Sequence, residues 1–336
     1  MTDSPLCNRQ VRVVKRAAGI PTPDVFELVS APIPACADGS VIVRVVVAAV
    51  DPAMRGWLSR ERNYLTVEDG AVMRAEAIGE IIESRNPEWH VGEVVYGVFG
   101  WQQYAAARPD DLYWRIDPGF APAEVWLGTL GLNGLTAWIG LLQVGRPRPG
   151  ETVLVSTAAG AVGSVVAGLA RARGLRCIGI TQGAAKLLRC RETLGCAHAI
   201  DYTGADLPGA IAAACPGGID VFFDNTAGAI ADAVFPVLNR GARVIQCGSV
   251  AVPTWLPVPS GPRRERDMIV KRLSWQGFVV LDHRDAFPEA LGDLKRLFAA
   301  GMLDAETEIL DGLEAAPGAL HYLYSGHNRG RLCVRP

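Results

Sequence analysis

The spacing of apolar positions changes once along the chain. Over residues 10–120 the apolar runs are short and rich in β-branched residues. Val41-Ile42-Val43-Arg44-Val45-Val46-Val47, Ala77-Ile78-Gly79-Glu80-Ile81-Ile82-Glu83 and Val91-Gly92-Glu93-Val94-Val95-Tyr96-Gly97-Val98 read as strands punctuated by Gly and Pro. This is the pattern of a compact antiparallel barrel. From about residue 122 helical and strand patterns alternate. Helices are expected over 127–144, 162–173 and 184–194, with strands at 152–155, 177–180, 221–224 and 243–247. Strands alternating with helices imply a parallel sheet covered on both faces. Gly330-Arg331-Leu332-Cys333-Val334-Arg335 is a last short strand, able to return to the barrel. The stretch 252–266, broken by four prolines, is the longest irregular segment and a candidate lid or interface element.

The alternating half opens with the most informative stretch. Val153-Leu154-Val155-Ser156-Thr157-Ala158-Ala159-Gly160-Ala161-Val162-Gly163-Ser164 joins a strand to a helix through small residues. Such a turn is the start of a dinucleotide-binding βαβ unit. Gly160 lets the backbone approach a pyrophosphate, Gly163 lets the helix pack close to the strand, and the helix N-terminus offers N–H groups to phosphates. An acid about 20 residues further on would bind the ribose 2′-hydroxyl of NAD. Here the second strand ends in Thr181-Gln182-Gly183, without a carboxylate, and Lys186 follows within one turn. The pattern favours NADP(H). A solvated helix-face position is the commoner fate of a lysine, and Arg189 and Arg191 lie close enough to share or take the role.

Length and charge narrow the classes. A chain of 336 residues suggests two domains, and 49% hydrophobic with 20% charged residues describes a soluble globular protein. A net charge of −2 gives no electrostatic case for nucleic acid or an anionic membrane. The apolar runs are strand-length, so no transmembrane helix is expected, and residues 1–10 carry no apolar signal core. The eight cysteines, none in a Cys-x-x-Cys pair, read as reduced thiols of a cytoplasmic protein. Neither they nor the five dispersed histidines have metal-ligand spacing, so no metal is expected.

Six motifs in order carry a family resemblance. Val50-Asp51-Pro52-Ala53-Met54-Arg55-Gly56 is similar to Val-Asp-Pro-Tyr-Met-Arg-Gly of the zinc-free prostaglandin reductase and alkenal double-bond reductase branch of the medium-chain dehydrogenase/reductases. Leu127-Gly128 with Gly134-Leu135-Thr136-Ala137-Trp138 resembles the branch's helix before the nucleotide fold, and the glycine turn resembles its own. Phe223-Asp224-Asn225-Thr226-Ala227-Gly228, Gln276-Gly277-Phe278-Val279-Val280 and Gly326-His327-Asn328-Arg329-Gly330-Arg331 resemble its remaining signatures. The resemblance runs nearly end to end. It implies a GroES-like β-barrel catalytic domain over 1–122, completed by 303–336, and a doubly wound Rossmann domain over 123–302, with the active site in the cleft between them.

The resemblance also implies cofactor contacts. Thr136, Ala159, Gly160, Ala161, Val162 and Gly163 would serve the nucleotide turn. Gln182, Gly183, Lys186 and Tyr202 would lie about the 2′-phosphate. Asn225, Cys247, Gly248, Phe278, Val279 and Asn328 would follow the cofactor toward its nicotinamide and pyrophosphate. Without the resemblance, Asn225 reads equally as a polar turn after a strand, and Tyr202 as an aromatic on the sheet rim. Two positions depart from the branch. Ala53 replaces a tyrosine, and Val270, counted back from Gly277-Phe278, stands where relatives carry a tyrosine that holds the substrate oxygen or the developing enolate. The substrate pocket is therefore expected to be roomier and less polar. Ala53, Arg55, Trp57, Trp101, Trp255 and Val270 are its candidates, with Trp138 and Tyr64 beside them, although aromatics of this kind are more often core.

The implied chemistry is conjugate reduction of a small hydrophobic enone or enal. Hydride from NADPH goes to the β-carbon, and hydrogen-bond donors meet the developing enolate oxygen. Tyr64 and Tyr104 are the weak candidates for a donor, and no residue is assigned as catalytic. A quinone reductase and a zinc-independent alcohol dehydrogenase use the same scaffold, and a non-catalytic NADP-binding sensor is a further alternative. NADPH oxidation with an enone, a quinone and no substrate separates them. A homodimer is expected.

Overall fold

The computed structural model describes residues 7–61 and 63–336. Residues 1–6, part of the segment read as lacking a signal core, lie outside the described residues. The chain forms two units, Met1–Gly128 with Thr307–Pro336, and Thr129–Glu306. Their borders fall a few residues beyond the expected 122/123 and 302/303.

The first unit begins with β1 (Cys7–Val13) and β2 (Phe26–Pro32), paired antiparallel as a two-stranded sheet. Then come β3 (Val41–Ala49), α1 (Ala53–Leu58), β4 (Glu76–Ser84), β5 (Val94–Val98), β6 (Tyr104–Ala107), β7 (Leu112–Arg115) and α2 (Ala123–Leu127). The valine-rich β3 is buried along one face and at both ends of the other, where Arg44 is exposed, as β-branched residues favour in a central strand. The helix expected over 127–144 is broken. Gly128, at φ −107° and ψ −97°, ends α2, which packs on β3 and β4.

The second unit starts with α3 (Leu132–Trp138), which continues as a π-helical turn over Ile139–Val144. It then alternates: β8 (Thr152–Ser156), α4 (Ala161–Ala172), β9 (Arg176–Thr181), α5 (Ala184–Glu192), β10 (His198–Asp201), α6 (Leu207–Ala214), β11 (Ile219–Asp224), α7 (Gly228–Val234), β12 (Leu238–Gln246), α8 (Glu265–Lys271), β13 (Ser274–Gly277) and α9 (Phe287–Ala299). The six strands are parallel, in the order β10-β9-β8-β11-β12-β13. The order reverses between β8 and β11, and ligands of doubly wound sheets bind beyond the carboxyl ends of the strands at such a switch point. Leu154, Phe222, Val244, Ile211 and Val234 are among the apolar residues buried between sheet and helices.

The chain then returns to the first unit as β14 (Thr307–Asp311), α10 (Ala316–Ser325) and β15 (Arg331–Arg335). There β15 pairs with Ala48 and Ala49 of β3, and β6 pairs with the opposite end of the same strand. The seven-stranded path β14-β15-β3-β4-β5-β7, with β6 on β3, is antiparallel except for β14–β15. Among the described residues its two ends, β14 and β7, do not pair with each other.

Candidate active site

The carboxyl ends of β8 and β11 are locked by one buried carboxylate. Asp224 ends β11 with no exposed surface. Its Oδ1 accepts from Ser156 Oγ at 3.2 Å, Thr226 N at 2.8 Å, Thr226 Oγ1 at 3.0 Å and Ala227 N at 2.9 Å. Ser156 Oγ in turn accepts from Asn225 N at 2.8 Å, and the Ser156 carbonyl accepts from Asn225 Nδ2 at 2.7 Å. Asn225, expected at the cofactor, thus commits its amide N–H groups to joining the two strands. Thr157 and Ala227, the next turns of chain, hold left-handed backbone at φ 51° and 56°. Strain of this kind in non-glycine residues collects at functional sites.

The helix after β8 is set for an anion. Its first backbone bond runs from Ser164 N to Gly160 O at 2.9 Å, so the amides of Ala161, Val162 and Gly163 precede the ladder at the positive end of α4. A Cβ on Gly163 would lie 2.3 Å from Thr157 O and 2.9 Å from Ala158 Cα, so only glycine lets α4 start this close to the strand. Ala159 is buried, and Gly160, Ala161 and Val162 are half-buried at the same turn.

The 2′-phosphate candidates gather at the ends of β9 and β10. Tyr202 OH donates to Gln182 Oε1, and burial, with the charge of Asp201, raises the phenol above its ordinary range. Gly183, at φ 83°, begins α5. Its N–H is 3.2 Å from Asp201 Oδ2, while Thr203 N and Oγ1 occupy Asp201 Oδ1. A carboxylate therefore stands beside this loop after all, supplied by β10 rather than β9. Lys186 is half-buried on the first turn of α5. Arg189 does not share its role. Its Nε lies 3.1 Å from Asp304 and 2.9 Å from Glu306, and its Nη1 donates to Ala159 O at 2.8 Å. Arg191 is exposed near the end of α5.

Cys247 and Gly248 follow β12, and both amides donate to Asp224 O, at 2.8 and 3.1 Å. Burial, with the nearby Asp224 charge, pushes the Cys247 thiol up to about 12, so it stays neutral. Phe278 and Val279 are half-buried after β13, and Phe278 lies against α3's π-turn, where a Cβ on Gly140 would meet its ring at 2.8 Å. Thr136 is half-buried, but its hydroxyl donates to Leu132 O at 2.6 Å within α3. Trp138, a possible pocket aromatic, is instead a core residue whose Nε1 donates to Asp293 Oδ2 at 2.9 Å. Trp255 and Val270 are exposed, 48% and 54%, on the segment that precedes β13.

In the first unit, α1 leaves β3 through Val50-Asp51-Pro52. Asp51 is clamped by Arg331, with Oδ1–Nη1 at 2.5 Å and Oδ2–Nη2 at 2.8 Å. Burial alone would lower Arg331, but the Asp51 carboxylate outweighs it and raises the guanidinium above its ordinary range. Beside them Glu76 is buried. Burial and the Asp51 charge push its carboxyl up to about 6, against the pull of Arg74 and Arg331. On α1 itself, Ala53 is half-buried, and the Arg55 guanidinium lies 4.7 Å from the Tyr324 ring centre. Trp57 is buried, and its Nε1 has no hydrogen-bond partner among the described residues. Trp101 is no pocket residue. It is fully buried, its ring centre lies 5.4 Å from that of Phe26 with the planes tilted by 53°, and it donates to Ala49 O at 2.9 Å. Tyr64 is 61% exposed. Tyr104 is half-buried at the start of β6, and Asn328 is buried with its Nδ2 on Gly330 O.

Residues 9–114 match the family described as the N-terminal domain of oxidoreductase, and residues 161–296 match that described as zinc-binding dehydrogenase. The NADPH-dependent curcumin reductase of Escherichia coli is 35% identical over 98% of this chain and 96% of its own. Prostaglandin reductase 1 of Sus scrofa is 32% identical over 96% and 97%. The crystal structure of CurA in complex with NADPH from Vibrio vulnificus superposes with a TM-score of 0.91 at 34% identity, covering 97% of this chain and 98% of that one. The chain belongs to the medium-chain dehydrogenase/reductases, in the branch of the prostaglandin reductases.

Zinc, which one of those family descriptions names, finds no ligand set here. Among the described residues no three His, Cys, Asp or Glu side chains come together in a way that could hold a metal ion. A dinucleotide does fit this dehydrogenase/reductase, because the tight Gly163 approach and the three amides before the α4 ladder form a cradle for phosphate. Sequence reasoning missed Ser156, Gln246 and the organising role of Asp224. The one signal was a carboxylate at the end of the apolar run Val221-Phe222-Phe223, where an unpartnered charge would be costly.

Proposed function

We propose that this chain is a cytoplasmic, zinc-independent homodimer that uses NADPH to reduce the C=C bond of small, hydrophobic α,β-unsaturated ketones or aldehydes. The observation that carries the reading is its end-to-end likeness to proteins named for NADPH-dependent curcumin and prostaglandin reduction. The nucleotide face of the second unit agrees, with Lys186 beside a β9 end that has no acid of its own. When bound, NADPH supplies a hydride to the substrate β-carbon, the carbonyl oxygen carries the charge, and the α-carbon takes a proton from water.

The chain's own residues bind and orient. The amides of 161–163 receive the pyrophosphate, and Lys186 with the Gln182–Tyr202 pair receives the 2′-phosphate. Cys247, Gly248, Phe278 and Val279 border the nicotinamide, and the neutral Cys247 thiol adds no competing nucleophile. The enolate oxygen needs a hydrogen-bond donor. Trp57, whose indole N–H is buried with no partner among the described residues, joins Tyr64 and Tyr104 as a candidate. With Val270 and Ala53 in place of tyrosines, the donors are fewer than in relatives, so the cofactor ribose hydroxyl or water shares the task.

The second copy is argued from β13. This edge strand, Ser274-Trp275-Gln276-Gly277, is exposed at all four residues and has no charge to protect it. An open, uncharged edge invites pairing with another strand. Leu256, Val258, Ile269 and Trp275 are exposed apolar residues on the same stretch of chain. The cytoplasmic assignment rests on eight free cysteines. No helix among the described residues is long and apolar enough to cross a membrane.

Product analysis with 4-position deuterated NADPH and a simple enone tests the chemistry. Deuterium at the β-carbon of a saturated ketone is expected. Deuterium on a carbinol carbon with the double bond intact would overturn the reading in favour of carbonyl reduction.

A further inference from the structure

The side-chain amide of Gln246 has only one orientation that its neighbours permit. Trp275 Nε1–H, a donor with no acceptor capacity, lies 3.0 Å from Gln246 Oε1. On the other side, Gln246 Nε2 donates to Asp224 Oδ2 at 3.1 Å and to Gly248 O at 2.6 Å, both acceptors. Turning the amide over would set oxygen against two acceptors and NH2 against an indole N–H. The indole therefore fixes the amide, and the amide fixes the turn after β12.

Backbone bonds tie the turn as well, and just beyond it Val250 N donates to Asn225 O at 3.2 Å and Ala251 N to Thr226 O at 3.0 Å. Cys247 N and Gly248 N both donate to Asp224 O, at 2.8 and 3.1 Å. The side-chain hold on the Gly248 carbonyl comes from Gln246. Gly248 also has no slack, since a Cβ there would lie 2.9 Å from Asn225 O. A small displacement of the turn would thus collide with the loop after β11, whose amides are fastened to the same carboxylate.

We propose that Trp275 and Gln246 are positioning residues for cofactor binding: the indole of the edge strand β13 orients the Gln246 amide, which holds the Cys247–Gly248 turn against Asp224 in the geometry that receives the nicotinamide end of NADPH. This rests on the reading that the turn borders the nicotinamide. The relay touches no reacting atom, so its loss acts on cofactor affinity before it acts on the hydride step. Trp275 is 45% exposed, and its ring also meets the buried Phe235 edge-on at 5.1 Å.

The test is a double-mutant cycle on the full-length protein, with NADPH dissociation constants from nucleotide fluorescence and kcat at saturating NADPH. Trp275→Phe keeps an aromatic ring and removes the donor, and Gln246→Leu removes all three contacts of the amide. Each should weaken NADPH about tenfold, the worth of one or two lost hydrogen bonds, with a much smaller change in kcat. The double variant should be no worse than Gln246→Leu, because both break the same relay. Gln246→Glu adds a signature that a merely structural role lacks. Ionised, the new carboxylate faces Asp224 and Gly248 O. Protonated, it donates in place of the amide. NADPH affinity in that variant should recover as pH falls through a new ionisation that the parent does not show.

Gly248→Val is the control for the site itself, and its added Cβ must weaken NADPH. If it does while the Trp275 and Gln246 losses are absent, or simply add, the relay is wrong. If Gly248→Val leaves NADPH affinity intact, the placement of the cofactor at this turn is wrong, and the relay falls with it.

Discussion

Neutralising Glu76 should stabilise the protein at alkaline pH and not at acid pH. Glu76 opens β4 and is 7% exposed. Of the two cations that pull on it, Arg331 is already taken, presenting both terminal nitrogens to Asp51 at 2.5 and 2.8 Å, and Arg74 does not offset burial. Burial and the Asp51 charge push the Glu76 carboxyl from 4.5 up to about 6. The fold thus favours the protonated acid. Its contribution is fully present below the unfolded value near 4.5 and is lost as pH rises through about 6. The displacement is worth roughly 2 kcal/mol at pH 8, where both states are ionised. Glu76→Gln keeps the shape and donor of the protonated acid and cannot ionise. It should therefore gain about 2 kcal/mol at pH 8, or about 4–8 °C in Tm for a unit of this size. The gain should vanish near pH 4. Thermal unfolding of both proteins across pH 4–8 measures it. An equal gain at both ends, or a loss at pH 8, refutes the argument. The first result would mean that Glu76 packs badly whatever its charge, and the second that Arg74 or Arg331 needs its negative charge.

Other outcomes follow from the same geometry. Lys186→Ala should cost NADPH binding on the order of 1–3 kcal/mol, the worth of a charge-assisted hydrogen bond, and leave NADH little changed, as competitive titrations would show. Equal affinity of the parent for both cofactors would remove the assigned role. Ile269→Lys, on the exposed face of α8, should shift sedimentation-velocity profiles toward monomer, and a parent that is already monomeric would refute the homodimer. Chelator treatment with elemental analysis should leave turnover intact, and stoichiometric zinc whose removal abolishes activity would overturn the zinc-independent reading. Val270→Tyr should keep the reaction type and change rate or substrate range by less than the roughly 10²–10³ typical of a well-placed oxyanion donor, because nothing around Val270 was shaped for a ring.

Periodicity made the second unit readable in advance. β8, β9 and the Val221–Phe223 stretch of β11 are apolar runs followed by helix patterns, and local spacing is enough to recognise such strands. The break between α2 and α3 was harder, since Gly128, Thr129 and Gly131 interrupt an otherwise helical stripe whose ends look alike in composition. The tryptophans misled for a related reason. Trp101 and Trp138 are large aromatics near recognisable motifs, yet each is held in a core by an indole hydrogen bond, to Ala49 O and to Asp293 Oδ2. No local pattern announces partners 52 and 155 residues away.

The same distance hides the polar frame of the candidate site. Ser156, Asp224, Gln246 and Trp275 come from four strands, and each looks unremarkable in its own run. One is a small residue closing a strand, one an acid before a turn, one an amide and one an aromatic on an edge. Only the parallel order β8-β11-β12-β13 puts their strand ends side by side, so that Ser156 and Gln246 reach opposite oxygens of Asp224. Glycines could be recognised in the sequence because their role is steric and local, as Gly163 shows against Thr157 and Ala158. A buried carboxylate cannot be, because its meaning lies in which donors surround it. The glycine turn names the class of ligand from a dozen residues, whereas the precision with which the turns are held is a property of the sheet as a whole. Sequence resemblance therefore reaches the cofactor before it reaches the residues that position it.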